Sequence, residues 1–166
     1  MRALDWLISQ KVDAVNMSLG GPENTLLSLA IENTLSAGIP VISSAGNGGE
    51  QGIAPFPAAQ AGVIGVTAVD IKNNLFDDAT PGKHIAFSAP GVDIWVAQAK
   101  NKNSYRSGTS YATPFVTAAL LLAKQKHPDK NPLKTLQANA VDLGDKGRDE
   151  KFGWGLVRLN NACTAP

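Results

Sequence analysis

Apolar residues recur along the chain at two spacings, and the changes between them outline its elements. Leu4, Leu7 and Ile8 fall at helical intervals with Trp6 beside them, so the spacing predicts a helix within Met1 to Gln10 that starts with no capping residue in front of it. Val12 to Met17 is short, apolar and rich in β-branched residues, and Gly20-Gly21-Pro22 follows, which predicts a strand and a turn. From Thr25 to Ala37 the apolar positions Leu26, Leu29, Ala30 and Leu35 lie largely on one face. Asn24 or Thr25 is suited to cap the start, and Gly38 follows the end, so this segment predicts an amphipathic helix. Pro40 to Ala45 then reads as a buried strand. Strand, helix and strand within about 35 residues is the length of a right-handed parallel crossover unit, which makes the class α/β.

Gly46 to Gly52 is glycine-rich, and Pro55 and Pro57 prevent a regular helix directly after it, so a loop is predicted there. Gly62 to Val69 and Ile85 to Ser88 read as further buried strands, and Ile94 to Ala99 with Ser104 to Arg106 as a hairpin around Lys100 to Asn103. Ser110 to Lys126 is different in character. It is long and mostly apolar, with Ala112, Val116, Ala119, Leu120 and Ala123 on one face, and predicts a buried helix. Asn131-Pro132 fits an N-cap and a first-turn proline, opening a helix that lasts to about Val141. No internal repeat, low-complexity tract or linker is visible, so residues 1–166 read as one domain.

Composition then removes several classes of function. The chain carries 15 Lys and Arg against 14 Asp and Glu, with no basic block, and so has no electrostatic footprint for a nucleic-acid partner. No apolar run reaches the ~18 to 20 residues that span a bilayer, which argues against a membrane partner. Met1 to Gln10 lacks the basic start, apolar core and small-residue cleavage site of a signal peptide. The one cysteine, Cys163, has no internal partner and is compatible with either redox compartment. Two histidines and one cysteine are too few for the usual zinc sets, although carboxylates and carbonyls leave room for calcium. At this length roughly 70% of the unfolded surface is buried on folding, so a core needs neither metal nor disulfide.

The chemistry concentrates where glycine meets helix. Gly108-Thr109-Ser110-Tyr111-Ala112-Thr113-Pro114 puts Ser110 between a glycine turn and the first turn of the long helix. Unpaired N–H groups at a helix N-terminus favour developing negative charge, so a hydroxyl there can attack a carbonyl while its own N–H steadies the oxyanion. On helix position alone a plain N-cap is the favoured reading, because serine is a preferred capping residue. Two further segments change the weighting: Asn16-Met17-Ser18-Leu19-Gly20-Gly21 and Ser44-Ala45-Gly46-Asn47-Gly48. In this order and spacing the three resemble the subtilisin-like serine proteases, the subtilase family. Ser88-Ala89-Pro90-Gly91, His127-Pro128 and Gly153-Trp154-Gly155-Leu156-Val157 extend the likeness over essentially the whole chain.

The resemblance implies a partial subtilisin-like fold: a doubly wound, mostly parallel sheet flanked by helices, lacking the N-terminal strands. It implies Ser110 as nucleophile, with the Asn47 side-chain amide donating to the oxyanion beside the Ser110 N–H. Loss of such a donor costs about 2.7 to 4 kcal/mol in the transition state, a figure that itself comes from a subtilisin. Ser18, Leu19 and Gly20 are implied to pair with the backbone of a polypeptide substrate, and Ser44, Ala45 and Gly46 to line the pocket for the side chain preceding the scissile bond. Plainer readings stand beside these: Asn47 as a turn residue at positive φ between two glycines, and the others as strand ends with small residues for packing. Tyr111 replaces the methionine of the best-known members and adds bulk on the leaving-group side, and Phe115 stands where many have histidine. Phe56-Pro57 resembles an aromatic-proline pair that can be cis in the family.

The family's catalytic acid and base lie in Asp-Thr/Ser-Gly and His-Gly-Thr motifs N-terminal to everything matched, and the sequence contains neither motif. His84 reads as a surface loop residue and His127 as a helix-end residue; Asp5, Asp13, Asp70, Asp77, Asp78 and the stretch Asp142 to Glu150 read as solvated carboxylates. The chain is thus expected to be the C-terminal part of a serine endopeptidase catalytic domain, nearly inactive by itself. A bare edge on the Val12 to Met17 strand predicts self-association unless the missing N-terminal half covers it. Two other classes compete. One is a non-catalytic peptide-binding module or pseudoprotease; the other is a dinucleotide fold, against which Gly46 to Gln51 lacks the third glycine and Pro55 and Pro57 obstruct the helix. No cofactor is identifiable and no metal ligand is assigned, with calcium left to the complete protein. The resemblance implies a secreted or periplasmic parent.

Overall fold

The computed structural model describes residues 1–99 and 102–158; Lys100 in the expected hairpin turn, and Cys163, lie outside the described residues. Helix α1 (Arg2–Ser9) starts at Met1 with no side-chain cap, and β1 (Val15–Met17), α2 (Thr25–Ser36) and β2 (Val41–Ser44) form the expected crossover. Asn24 caps α2 by accepting from the Leu27 N–H at 3.0 Å. Strands β3 (Ile64–Val69) and β4 (Ile85–Pro90) complete a parallel sheet of order β1-β2-β3-β4. A separate antiparallel hairpin, β5 (Ile94–Gln98) and β6 (Lys102–Arg106), leads into α3 (Thr109–Lys126). Helix α4 (Pro132–Asn139) follows, with Asn131 accepting from the Lys134 N–H at 3.1 Å.

All four residues of β2 are buried, because helices cover both faces of the sheet. Val41 turns to one side, where it packs with Leu4, Val15, Ala30, Ile31 and Ile39 beneath α1 and α2. Ile42 turns to the other, joining Val66, Phe87, Val116, Leu120 and Leu136 beneath α3 and α4. This is a mostly parallel α/β sheet with flanking helices, as the sequence pattern predicts.

Four local expectations are corrected. Helix α2 buries Ala30, Ile31 and Thr34, with Leu27 packed against that core, while Leu26 is 58% and Leu29 52% exposed. The expected face discounts Thr34 as polar, yet its hydroxyl donates to the Ala30 carbonyl at 2.8 Å and is buried at little cost. Val12 is not in β1, since a turn with Lys11 at φ 52° intervenes. Helix α4 stops at Asn139, because Val141 exchanges backbone hydrogen bonds with Leu156 instead. The stretch from Asp142 to Glu150 is more than a solvated run: Asp149 accepts from the Lys151 and Phe152 N–H groups, and Arg148 donates to the carbonyls of Lys83 and Ile85.

The edges of the sheet differ. Beyond β4, Ser88 donates to Gly155 and accepts from Val157, both at 2.9 Å, so residues 155–157 cover that edge. Beyond β1, no strand pairs among the described residues.

Candidate active site

The three matched segments meet at the carboxyl ends of β1 and β2, the crevice where open α/β sheets commonly bind ligands. Their meeting depends on glycine. The Gly108 N–H donates to the Gly91 carbonyl at 2.8 Å, and a Cβ at Gly91 would lie 2.6 Å from Ala68 Cβ and 2.9 Å from the Gly108 oxygen. Gly108 itself has φ 152°, and a Cβ there would come within 3.3 Å of the Asn47 amide nitrogen. These two glycines let the first turn of α3 seat against the strand ends.

Ser110 is the second residue of α3, where the backbone N–H has no intrahelical partner. It is not the N-cap, a place taken by Gly108, and its hydroxyl donates to the Ser18 carbonyl at 3.1 Å. The plain capping reading of this serine is therefore set aside. Asn47 is also not in a positive-φ conformation; the positive values in its turn belong to Gly46 and Gly49. What holds Asn47 is its side-chain oxygen, which accepts from both the N–H and the hydroxyl of Thr109 at 2.9 Å. The Thr109 hydroxyl in turn accepts from the Gly46 N–H at 3.2 Å. With Oδ1 fixed by two donors, the orientation of the amide is set and its Nδ2 remains to donate elsewhere.

Ser110 and Asn47 line one cavity of about 210 Å³ with Gly20, Ser44 and Gly46, bordered also by Pro55 and Thr80. Ser18 is half-buried, whereas Leu19 and Gly20 are exposed. The Leu19 carbonyl lies 3.4 Å from the Ser43 hydroxyl and 3.5 Å from that of Ser44. Ala45 is fully buried, and its carbonyl accepts from His84 Nε2 at 2.9 Å. Five of the eight expected site residues, Ser110, Asn47, Gly20, Ser44 and Gly46, line the cavity; Ser18 and Leu19 adjoin them through carbonyl contacts with the hydroxyls of Ser110, Ser43 and Ser44, and Ala45 is buried. The Phe56–Pro57 bond beside the cavity is cis.

The sequence assigns Thr109, Thr80 and Pro55 no part in the site. Thr109 sits inside the serine motif, and only its contact with Asn47 reveals what it does. Thr80 accepts from the Gly48 N–H at 3.0 Å and its own N–H donates to Gly46 at 3.1 Å, bracing the Asn47 turn from a loop more than 30 residues away. His84 is half-buried rather than a surface loop residue. Burial lowers its pKa from the ordinary 6.5, partly opposed by its hydrogen bond to Ala45, and since a carbonyl accepts, Nε2 carries the proton. His127 caps the C-terminus of α3. Among the described residues no group of three or more His, Cys, Asp or Glu side chains is arranged to hold a metal ion, and no helix is long and apolar enough to cross a membrane.

With this geometry in view, known proteins offer comparison. The sequence profile of the subtilase family, peptidase S8, matches residues 1–155. The minor extracellular protease Epr of Bacillus subtilis is 34% identical over 99% of this chain, and subtilisin DY of Bacillus licheniformis is 32% identical over 96% of it. The chain spans 26% of the first relative's length and 60% of the second's. Among solved structures, sphericase superposes with a TM-score of 0.84 at 25% identity, covering 96% of this chain and 61% of its own. The prenylagaramide maturation protease PagA gives 0.81 at 26% identity, covering 97% and 64%.

Proposed function

The chain belongs to the subtilase family, and from that premise we propose that it supplies the nucleophile and oxyanion-binding half of a serine endopeptidase site. Ser110 attacks the scissile carbonyl of a polypeptide, and the Asn47 Nδ2 and the Ser110 N–H receive the oxyanion as the tetrahedral intermediate forms. The observation that carries this reading is the double hold of Thr109 on Asn47 Oδ1, which leaves only the donor end of the amide to face the cavity beside Ser110. A pre-oriented donor needs no reorganisation at the moment of reaction, and this is where such sites gain most. Ser18, Leu19 and Gly20 pair with the substrate backbone, and Ser44 and Gly46 flank the side chain preceding the scissile bond.

Proton transfer is the part this chain does not perform. The Ser110 hydroxyl donates to a carbonyl, which cannot take up its proton, and His84 is hydrogen-bonded to the Ala45 backbone. The acid and base therefore come from outside residues 1–166, and the complete protein, a secreted or periplasmic protease, is the active species. By itself the chain keeps a peptide groove without turnover. The same reading assigns the bare edge of β1 to a further strand of the complete protein, or to a second copy of this chain when that strand is missing.

Peptide hydrolysis by the complete protein tests the assignment. Ser110→Ala is expected to lower kcat by about a million-fold, as loss of the nucleophile does in subtilisin. Retention of more than about a hundredth of the activity in a folded variant excludes Ser110 as the nucleophile.

A further inference from the structure

We propose that Asn47 is a covalent modification site: its side-chain amide is set to deamidate through the Gly48 nitrogen, and Thr80 holds that reaction back. Asn47 is the one asparagine in the sequence that is followed by glycine. Glycine leaves the adjoining peptide nitrogen unhindered, because it carries no Cβ. In the reaction the Gly48 nitrogen bonds to Asn47 Cγ and gives up its proton, and Nδ2 leaves with that proton as ammonia. Water then opens the five-membered imide at either carbonyl and yields aspartate or isoaspartate. Asn47 and Gly48 are both exposed, so water has access. Packing favours the glycine, since a Cβ at Gly48 would stand 3.0 Å from Gly52 Cα and 3.4 Å from Thr80 Oγ1.

The surroundings treat the two halves of this reaction in opposite ways. The electrophile is primed. Asn47 Oδ1 accepts from the N–H and the hydroxyl of Thr109 at 2.9 Å, and two donors on a carbonyl oxygen steady the charge that develops there when a nucleophile adds. The contact that orients the amide therefore also favours attack on it. Restraint comes from the nitrogen side, where the Gly48 N–H donates to Thr80 Oγ1 at 3.0 Å. Attack requires this hydrogen bond to break and the peptide plane to turn toward Cγ. Thr80 is itself fixed, being 1% exposed with its N–H donating to the Gly46 carbonyl at 3.1 Å. The Gly49 N–H donates to the Asp78 carbonyl at 2.7 Å and pins the same turn one residue further on. The consequence for activity rests on the reading of Asn47 given above, whereas the chemistry does not. Loss of Nδ2 puts a carboxylate where an oxyanion is to be received, and like charges repel.

Ageing of the full 166-residue chain at mildly alkaline pH, with the Asn47 peptide followed by mass spectrometry for the change from amide to acid, tests this without requiring turnover. The native chain is expected to deamidate at Asn47 more than about fivefold more slowly than the same chain unfolded in urea, because one hydrogen bond alone is worth about that factor. Thr80→Val, which keeps the shape and removes the acceptor, is expected to raise the native rate about fivefold, and Thr80→Ser to leave it near the wild type. Thr80→Ala gives the same test where valine does not fit. Equal rates in the native and unfolded wild type, or a wild-type rate in a folded variant lacking the hydroxyl, overturn the restraint. In the complete protein, peptide hydrolysis is expected to fall in step with the modified fraction. Deamidation at the expected rates without that loss leaves the modification site standing and overturns the oxyanion role of Asn47 instead.

Discussion

The two sides of Ser110 are built to different degrees. On the Asn47 side every backbone or side-chain oxygen that sets the geometry has its donor: Thr109 holds Asn47, Gly46 holds Thr109, and Thr80 braces the turn between. On the Ser18 side the serine hydroxyl meets one carbonyl, Leu19 is 54% exposed, and β1 stands at the edge of the sheet with its outer side unpaired among the described residues. Stabilising an oxyanion requires fixed dipoles, which local folding of a strand end, a turn and a helix start can supply. Activating a hydroxyl requires a base within hydrogen-bond reach, and the hydrogen bond of the Ser110 hydroxyl goes instead to the Ser18 carbonyl, which is not one. On the function proposed above, the chain supplies the first of these tasks and leaves the second to the complete protein.

The comparison is broken most forcefully by removing the donor on the built side. Asn47→Ala in the complete protein is expected to lower kcat by about a hundred- to a thousand-fold with little change in KM, the magnitude found for such donors in subtilisin. An effect confined to KM would place Asn47 in ground-state binding instead. The open side is sharpened by light scattering on size-exclusion fractions of the chain alone, where the bare β1 edge is expected to give dimers or larger species that increase with concentration. A monomer at all concentrations would mean that the edge protects itself.

Thr109→Val removes one of the two donors to Asn47 while keeping the backbone N–H. It is expected to reduce kcat by up to about tenfold, on the scale of one hydrogen bond, with Thr109→Ser restoring the rate. The smallest effect concerns His84, which touches Ala45 beneath the site. Its folded pKa is depressed below 6.5, so the unfolded chain binds the proton more readily. Stability is full above pH 6.5 and falls as pH drops from there through the lower folded value. Urea midpoints between pH 7.5 and pH 5 should show this decline, and His84→Gln should flatten it.

Much of this is legible in the sequence because it depends on local pattern. All five apolar positions read on the face of α3 are buried, since small and aliphatic residues at helical spacing leave little choice of face. Ser110 and Asn47 can be singled out in the sequence because the short motifs that hold them resemble, in order and spacing, those of the subtilase family. The partners that orient these residues cannot. Thr109 bonds across 62 positions to Asn47, Thr80 across 32 to Gly48, and Pro55 acts by filling space between Gly20 and Gly46. Such contacts exist only once the sheet has brought the segments together. The face of α2 was misread for a related reason: a buried hydroxyl satisfied within its own helix, on Thr34, looks polar in a sequence and behaves as core in the fold.

The central claim is that the chain carries a nucleophile and an oxyanion site without a base. It is tested most directly by titrating the folded chain with a fluorophosphonate that labels activated serines, with Ser110→Ala as control and the complete protein beside it. The account predicts rapid labelling of the complete protein at Ser110 and none of the chain alone beyond the background of the variant. Rapid Ser110-dependent labelling of the chain alone would contradict it, because a base would then have to reside within residues 1–166 or be supplied by a second copy.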